Sequence, residues 1–136
     1  VVDAGTATTL TYVDARGVLA GGAIMLGLSA SAEELGRRGA RLHQVRLEIP
    51  PSALGRSTVS SLQSGLVLGH AGAVRHLAEL IDPGARRVVT GGWRKLVVEL
   101  LPGAVEHGNL TAWGGRVYWQ SCIRAHERPY DTDGRP

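Results

Sequence analysis

Short apolar runs separated by turn-forming residues dominate the beginning of this chain. Three strands are predicted, at 1–3, 8–13 and 18–24, because β-branched and aliphatic residues cluster between likely turns at 4–6 and 14–17. Tight turns between consecutive strands favour an antiparallel meander.

Helical and strand-like patterns alternate in the rest of the chain. The predicted order is a helix capped by Ser29 or Ser31, a strand at 45–49, a long helix that begins at Ser57 or Thr58 and stops at Asp82, a strand at 86–89, a helix at 93–101, a strand at 104–106 and a helix at 110–124. A meander followed by this alternation predicts an α/β fold, in which a mixed sheet is flanked by helices.

Length and charge narrow the class of protein. The 136 residues fit one domain, and 15 basic against 12 acidic residues give a net charge of +3. The basic residues form only isolated pairs, at 37–38 and 86–87, so no nucleic-acid partner is expected. A small basic nucleic-acid binder remains an alternative, which salt-dependent affinity for DNA or RNA would reveal. The single Cys122 fits a reducing cytoplasm, and no apolar run approaches the ~18 residues of a membrane span.

The sequence directly after the first strand is a candidate phosphate-binding loop. Asp3 ends the strand, Gly5 permits a tight turn, and Thr6 begins a run of hydroxyl-bearing residues. Backbone amides and hydroxyls suit phosphate oxygens, and a carboxylate suits a cation. A threonine-rich hairpin turn explains the same residues equally well.

A second candidate is the segment Thr90-Gly91-Gly92, which follows a buried strand and precedes a helix. Two glycines there would let a nucleotide ring or sugar lie against the backbone, although an ordinary left-handed turn explains them as often. The five histidines are not spaced as metal-ligand pairs, which favours surface or hydrogen-bonded core positions for them.

Five segments, in this order, resemble the second lobe of type III pantothenate kinase. They are Asp3-x-Gly5-Thr6-Ala7-Thr8-Thr9, Gly21-Gly22-Ala23-Ile24-x-x-Gly27-Leu28, Ser57-Thr58-x-x-x-x-Gln63-Ser64-Gly65, Thr90-Gly91-Gly92 and Asn109-Leu110-Thr111. The resemblance implies a ribonuclease H-like (actin-like ATPase) lobe over 1–126, followed by a frayed tail at 127–136. It also implies a cytoplasmic homodimer that phosphorylates pantothenate with ATP, the first step of coenzyme A synthesis.

The same resemblance assigns roles to individual residues. Asp3 would bind a monovalent cation, potassium or ammonium, and Thr58 would bind pantothenate. ATP, accompanied by magnesium, would contact Gly5, Thr6, Thr90, Gly91 and Gly92. Where the family has a proline and an asparagine, this chain has Leu26 and Ser57.

The family's first lobe, with its own phosphate loop and a catalytic aspartate in a Gly-x-Asp-Arg segment, precedes the position of Val1. No catalytic residue is therefore expected within this chain, and the chain alone is expected to be inactive. A truncated, non-catalytic homologue that serves as a binding or regulatory module is the alternative interpretation.

Overall fold

A five-stranded mixed sheet forms the centre of the computed structural model, which describes residues 1–39 and 45–126. The strands are β1 (Val2–Ala4), β2 (Ala7–Val13), β3 (Leu19–Leu26), β4 (Val88–Thr90) and β5 (Val105–Glu106). Their order across the sheet is β3-β2-β1-β4-β5. β2 pairs antiparallel with both β1 and β3, whereas β4 pairs parallel with both β1 and β5.

Helices flank this sheet, which confirms the predicted mixed α/β architecture. They are α1 (Leu28–Arg38), α2 (Thr58–Gln63), α3 (Gly69–Ile81), α4 (Arg94–Glu99) and α5 (Leu110–His126). A π-helical turn, Ser64–Leu68, joins α2 to α3, so residues 58–81 form one continuous element, called the long helix below. None of the helices described is both long enough and apolar enough to cross a membrane.

The long helix begins where the sequence predicts. Ser57 is its N-cap: the Ser60 amide donates to Ser57 Oγ at 3.2 Å, and the Ser57 amide donates to Ser60 Oγ at 3.0 Å. This reciprocal pair satisfies two otherwise orphaned donors of the first turn. Thr58 is thus the first helical residue and not the cap.

Two predictions about the elements are wrong. Residues 45–49 form no strand, and α1 begins at Leu28 after Gly27, without a side-chain cap from Ser29 or Ser31. Tertiary packing determines where α1 begins, because its first residue, Leu28, is buried in the core with only 1% of its surface exposed. The tail predicted at 127–136 lies outside the described residues.

The hydrophobic core determines which way Asp3 points. Val2 and Ala4 are buried in the core with residues of β2, β4 and the helices: Leu10, Leu28, Val74, Val89, Val97 and Leu101. Side chains alternate between the two faces of a strand, so burying Val2 and Ala4 turns Asp3 to the opposite face. The core thereby keeps the Asp3 carboxylate out of the apolar interior.

Candidate functional site

Two loops meet at one edge of the sheet. β1 and β4 are parallel neighbours with Asp3 opposite Thr90, so the loops that follow them leave the sheet side by side. The first loop consists of Gly5 and Thr6, and the second loop runs from 91 to 93. They are directly joined, because the Trp93 amide donates to the Ala4 carbonyl at 3.0 Å. The structure thus brings together all the predicted loop residues: Asp3, Gly5, Thr6, Thr90, Gly91 and Gly92.

Gly91 is the position of closest approach between these loops. Its φ of +92° lies in a region that side-chain-bearing residues rarely adopt. A Cβ atom there would lie 2.5 Å from Asp3 Oδ1 and 2.6 Å from the Ala4 carbonyl oxygen. A Cβ atom on Gly5 would lie 3.6 Å from the same Asp3 oxygen. The carboxylate therefore sits between two bare glycine backbones, one from each loop.

Gly27, directly before α1, contacts the backbone of the first loop. Its amide donates to the Thr6 carbonyl at 3.1 Å, and a Cβ atom at Gly27 would collide with the carbonyls of Gly5 and Thr6. The sequence pattern gave Gly27 no role beyond its place in a segment that resembles the family, and this contact was not predicted. The one available signal was a glycine directly before an apolar helix start.

Side chains from three other elements hold the second loop. The Trp93 indole Nε1 donates to Ser29 Oγ at 2.9 Å. Arg94 donates from Nη1 to the Gly91 carbonyl at 3.1 Å and from Nε to Glu106 Oε1 at 2.8 Å. Sequence reasoning missed these residues as well, although a tryptophan after two glycines in a chain with only three Trp was a usable signal.

The hydroxyl-bearing residues that follow Gly5 differ in their exposure. Thr6 is exposed, whereas Thr8, in β2, is fully buried, with its Oγ1 3.1 Å from Nε2 of the buried His70. The Thr8 hydroxyl therefore faces the long helix, and of these two threonines only Thr6 offers its hydroxyl to a ligand. Burial lowers the pKa of His70 below its ordinary value of 6.5, so its ring is neutral at pH 7. This histidine is a hydrogen-bonded core residue, as its isolated position in the sequence favoured.

Thr58 lies apart from the two loops. It is exposed at the start of the long helix and lines a shallow depression formed by Gly55, Arg56, Ser57, Thr58, Ser61 and Leu62. None of the loop residues lines this depression. Ser57 caps the helix, so the Thr58 hydroxyl is not needed as a cap. Among the described residues, the Thr58 hydroxyl forms no hydrogen bond.

The chemistry available at the loops suits a phosphate and a hard cation. The Gly5 amide donates to the Ala7 carbonyl at 3.1 Å, so the amides that remain for a ligand are those of Thr6, Gly91 and Gly92. Thr6 adds an accessible hydroxyl, and Asp3 supplies carboxylate oxygens of the kind that hard cations prefer. Within residues 1–39 and 45–126, no cluster of three or more His, Cys, Asp or Glu side chains could hold a metal ion. A cation at Asp3 would thus take its other ligands from carbonyl, hydroxyl or ligand oxygens.

These features define an α/β domain with a candidate ligand site at the carboxyl ends of neighbouring parallel strands. The fold resembles that of a solved Campylobacter jejuni protein named for the Baf family of transcriptional activators. The TM-score is 0.67 at 17% sequence identity, over 91% of this chain and 58% of that one. At this identity the likeness concerns the fold alone.

Sequence comparison gives a specific family. Residues 1–80 match the profile of type III pantothenate kinase. Proteins of that name from Thermomicrobium roseum and Thermobifida fusca are 42% and 45% identical to this chain over 92% and 73% of its length. A Francisella tularensis protein named type III pantothenate kinase 1 is 35% identical over 88%. The chain belongs to the type III pantothenate kinase family. It spans 50%, 41% and 49% of the length of these three relatives, respectively.

Proposed function

We propose that this chain is the nucleotide- and cation-binding half of a kinase that transfers the γ-phosphoryl group of ATP to pantothenate. The observation that carries the proposal is the meeting of the two glycine loops around Asp3, at the ends of β1 and β4. Family membership supports the reaction, and an actin-like ATPase lobe is the fold proposed for the chain. The proposal places the protein in the cytoplasm, with neither nucleic acid nor membrane as a partner.

Each loop has a distinct role in this proposal. The Thr6 amide and hydroxyl hold phosphate oxygens, and Gly5, whose own amide donates to the Ala7 carbonyl, lets the phosphate approach the turn. The bare backbone of Gly91 and Gly92 lies against the adenosine end of ATP. Thr90 was expected to contact ATP, but it is only 4% exposed, so the role proposed for it is to place the two glycines. Asp3 holds a monovalent cation, potassium or ammonium, which would offset phosphate charge; magnesium would accompany ATP.

The catalytic base is proposed to lie outside this chain, in the part that the relatives have and this chain lacks. Phosphoryl transfer depends mainly on positioning and charge stabilisation, and both require groups on each side of the nucleotide. The competing proposal is a non-catalytic homologue that binds a nucleotide for regulation. Both predict nucleotide binding, so only turnover separates them.

We expect the 136-residue chain alone to release no ADP from ATP above background in the presence of pantothenate. A chimera that places the unmatched half of the Thermomicrobium roseum relative before Val1 is expected to restore pantothenate-dependent ADP release, because it supplies the base and the second wall of the cleft. Turnover by the chain alone would refute the proposal that the catalytic base lies outside this chain. An inactive but folded chimera that still binds ATP would favour the non-catalytic module.

Thr58 is proposed to bind pantothenate across a homodimer interface. Its hydroxyl is exposed and not engaged in capping. Arg56, two positions earlier, lines the same depression and could attract the pantothenate carboxylate. Along the same helix, a Cβ atom on Gly65, Gly69 or Gly72 would meet nothing within 4 Å. The open space above these glycines would let a second long helix approach closely.

In the active chimera, Thr58→Ala is expected to raise the Michaelis constant for pantothenate about tenfold, the size of one lost hydrogen bond to a charged group. Stability should hardly change, since Ser57 keeps the cap. Thr58→Ser retains the hydroxyl and serves as the matched control.

Gly69→Leu should lower dimer content, measured by sedimentation, and pantothenate affinity together. Monomeric Gly69→Leu protein with normal pantothenate affinity would show that the pocket does not cross the interface.

A further inference from the structure

A buried side-chain hydrogen bond connects the long helix to the strand that follows the first loop. Thr8 Oγ1 lies 3.1 Å from His70 Nε2, and the two residues are 0% and 7% exposed. They are 62 positions apart in the chain, so this is a tertiary contact. With either tautomer of the neutral ring a hydrogen bond forms, because a hydroxyl both donates and accepts.

Thr8 is well placed to control the first loop. It lies two residues after Thr6 and pairs with Ala4 across the β1–β2 ladder, so Ala4 and Thr8 flank both ends of the loop. Ala4 is held separately by the Trp93 amide, and Thr6 by the Gly27 amide. At the β2 end, pairing with β1 and β3 holds the backbone within the sheet, and the Thr8–His70 bond adds a side-chain link to the long helix.

The β1 and β3 ladders fix this end of β2 within the sheet, but apolar packing alone would not fix its position against the long helix. Apolar burial in the core that Leu10 of β2 shares with Val74 of the long helix is non-directional and tolerates small shifts. A hydrogen bond selects one Thr8 rotamer and one separation from the helix. Losing it would also leave a buried polar atom without a partner.

We propose that His70 is a positioning residue for phosphate binding. By holding the Thr8 side chain, it fixes where β2 begins and hence how the Gly5 and Thr6 backbone is presented to a phosphate. His70 does not touch the ligand. The consequence for ligand affinity rests on the proposed function, whereas the consequence for loop order does not.

The chain itself supplies a matched control for this link. At the other end of β2, Tyr12 donates from its hydroxyl to Asp82 Oδ2 at 2.8 Å, which ties the same strand to the end of the same helix. Tyr12→Phe therefore removes a β2–helix hydrogen bond remote from the first loop. Any effect common to both sites reflects strand attachment in general, and not the loop.

The test is amide hydrogen exchange of residues 5–8 in the ligand-free chain, measured by NMR and compared with residues 88–90 of β4. His70→Leu and Thr8→Val are each expected to speed exchange at 5–8 about tenfold relative to 88–90, as the loss of one buried hydrogen bond implies. The double variant should be no worse than either single one. Tyr12→Phe should leave exchange at 5–8 unchanged, and His70→Gln, which can still hydrogen-bond Thr8, should restore it substantially.

Equal acceleration at 5–8 and 88–90, or none at 5–8, would overturn the proposal. Thr8→Val replaces a hydroxyl with a methyl group of similar size, so it decides the question if His70→Leu does not fold.

Titration with MgATP, followed by the amide shifts of Gly5 and Gly91, gives the second readout. His70→Leu should weaken binding about tenfold and His70→Gln should not. Absence of MgATP binding to the unsubstituted chain would count against the proposed function alone, and the exchange result would still decide the role of His70.

Discussion

Replacing Gly91 with alanine is expected to destabilise the chain by about 2–4 kcal/mol and to abolish ATP binding. The new Cβ atom would lie 2.5 Å from Asp3 Oδ1 and 2.6 Å from the carbonyl carbon and oxygen of Ala4, and φ would stay at an unfavourable +92°. The backbone of Ala4 cannot move aside cheaply, because it is paired within the sheet. Relief of the clash would displace both loops, and with them the Asp3 carboxylate.

Gly92→Ala is the matched control for the effect on stability; because Gly92 is itself proposed to lie against ATP, it is not a control for ATP binding. A Cβ atom on Gly92 would meet nothing within 4 Å, and its φ is not positive. We expect its midpoint of thermal unfolding, followed by circular dichroism, to stay within about 2 °C of the unsubstituted chain. ATP affinity of each variant is measured by calorimetry. Normal ATP affinity in Gly91→Ala would mean that the second loop takes no part in nucleotide binding.

Asp3→Asn is expected to raise the potassium concentration for half-maximal activity of the chimera at least tenfold. The substitution keeps the shape of the side chain and removes one charge, whose attraction to a cation at contact distance is worth about 4 kcal/mol at an effective dielectric constant near 20. The pantothenate Michaelis constant should change far less, because Thr58 lines a separate depression. Activity is measured as ADP release over a series of potassium concentrations.

A carboxylate remote from the loops provides the comparison. Asp14, in the turn between β2 and β3, accepts hydrogen bonds from Arg16 and from the Val18 amide. Asp14→Asn removes the same charge from the chain without touching the first loop, so potassium dependence should stay as it was. Unchanged potassium dependence in Asp3→Asn would show that Asp3 does not bind the cation.

The loops of the candidate site could be located from the sequence because each depends on a local feature. Gly5 and Gly91 follow short runs of strand-forming residues, and such glycines mark tight turns after strands. That the two loops touch could not be derived from spacing, because 86 positions separate these glycines in the chain. Parallel pairing of β1 with β4 brings them together.

The segment 45–49 shows where local pattern misleads. Its apolar residues Val45, Leu47 and Ile49 are half-buried and its charged residues exposed, as the alternation predicts. The segment pairs with no strand of the described sheet. The backbone carbonyl of Arg46 and the carboxylate of Glu48 instead accept hydrogen bonds from the side-chain Nε2 of Gln63. Alternation thus predicted the burial correctly and the hydrogen bonding wrongly.

Local sequence was sufficient for most strands, for the cap and end of the long helix and for the two glycine turns, since these depend on residues only a few positions apart. Only the tertiary structure decided which glycines may bear no side chain and which threonine is buried. A side chain on Gly27 would collide with the backbone of Thr6, 21 positions earlier in the chain. The Thr8 side chain points inward, where it is hydrogen-bonded to His70, 62 positions later. Such contacts exist only once β1, β2 and the long helix pack into one core, so no local pattern carries their signature.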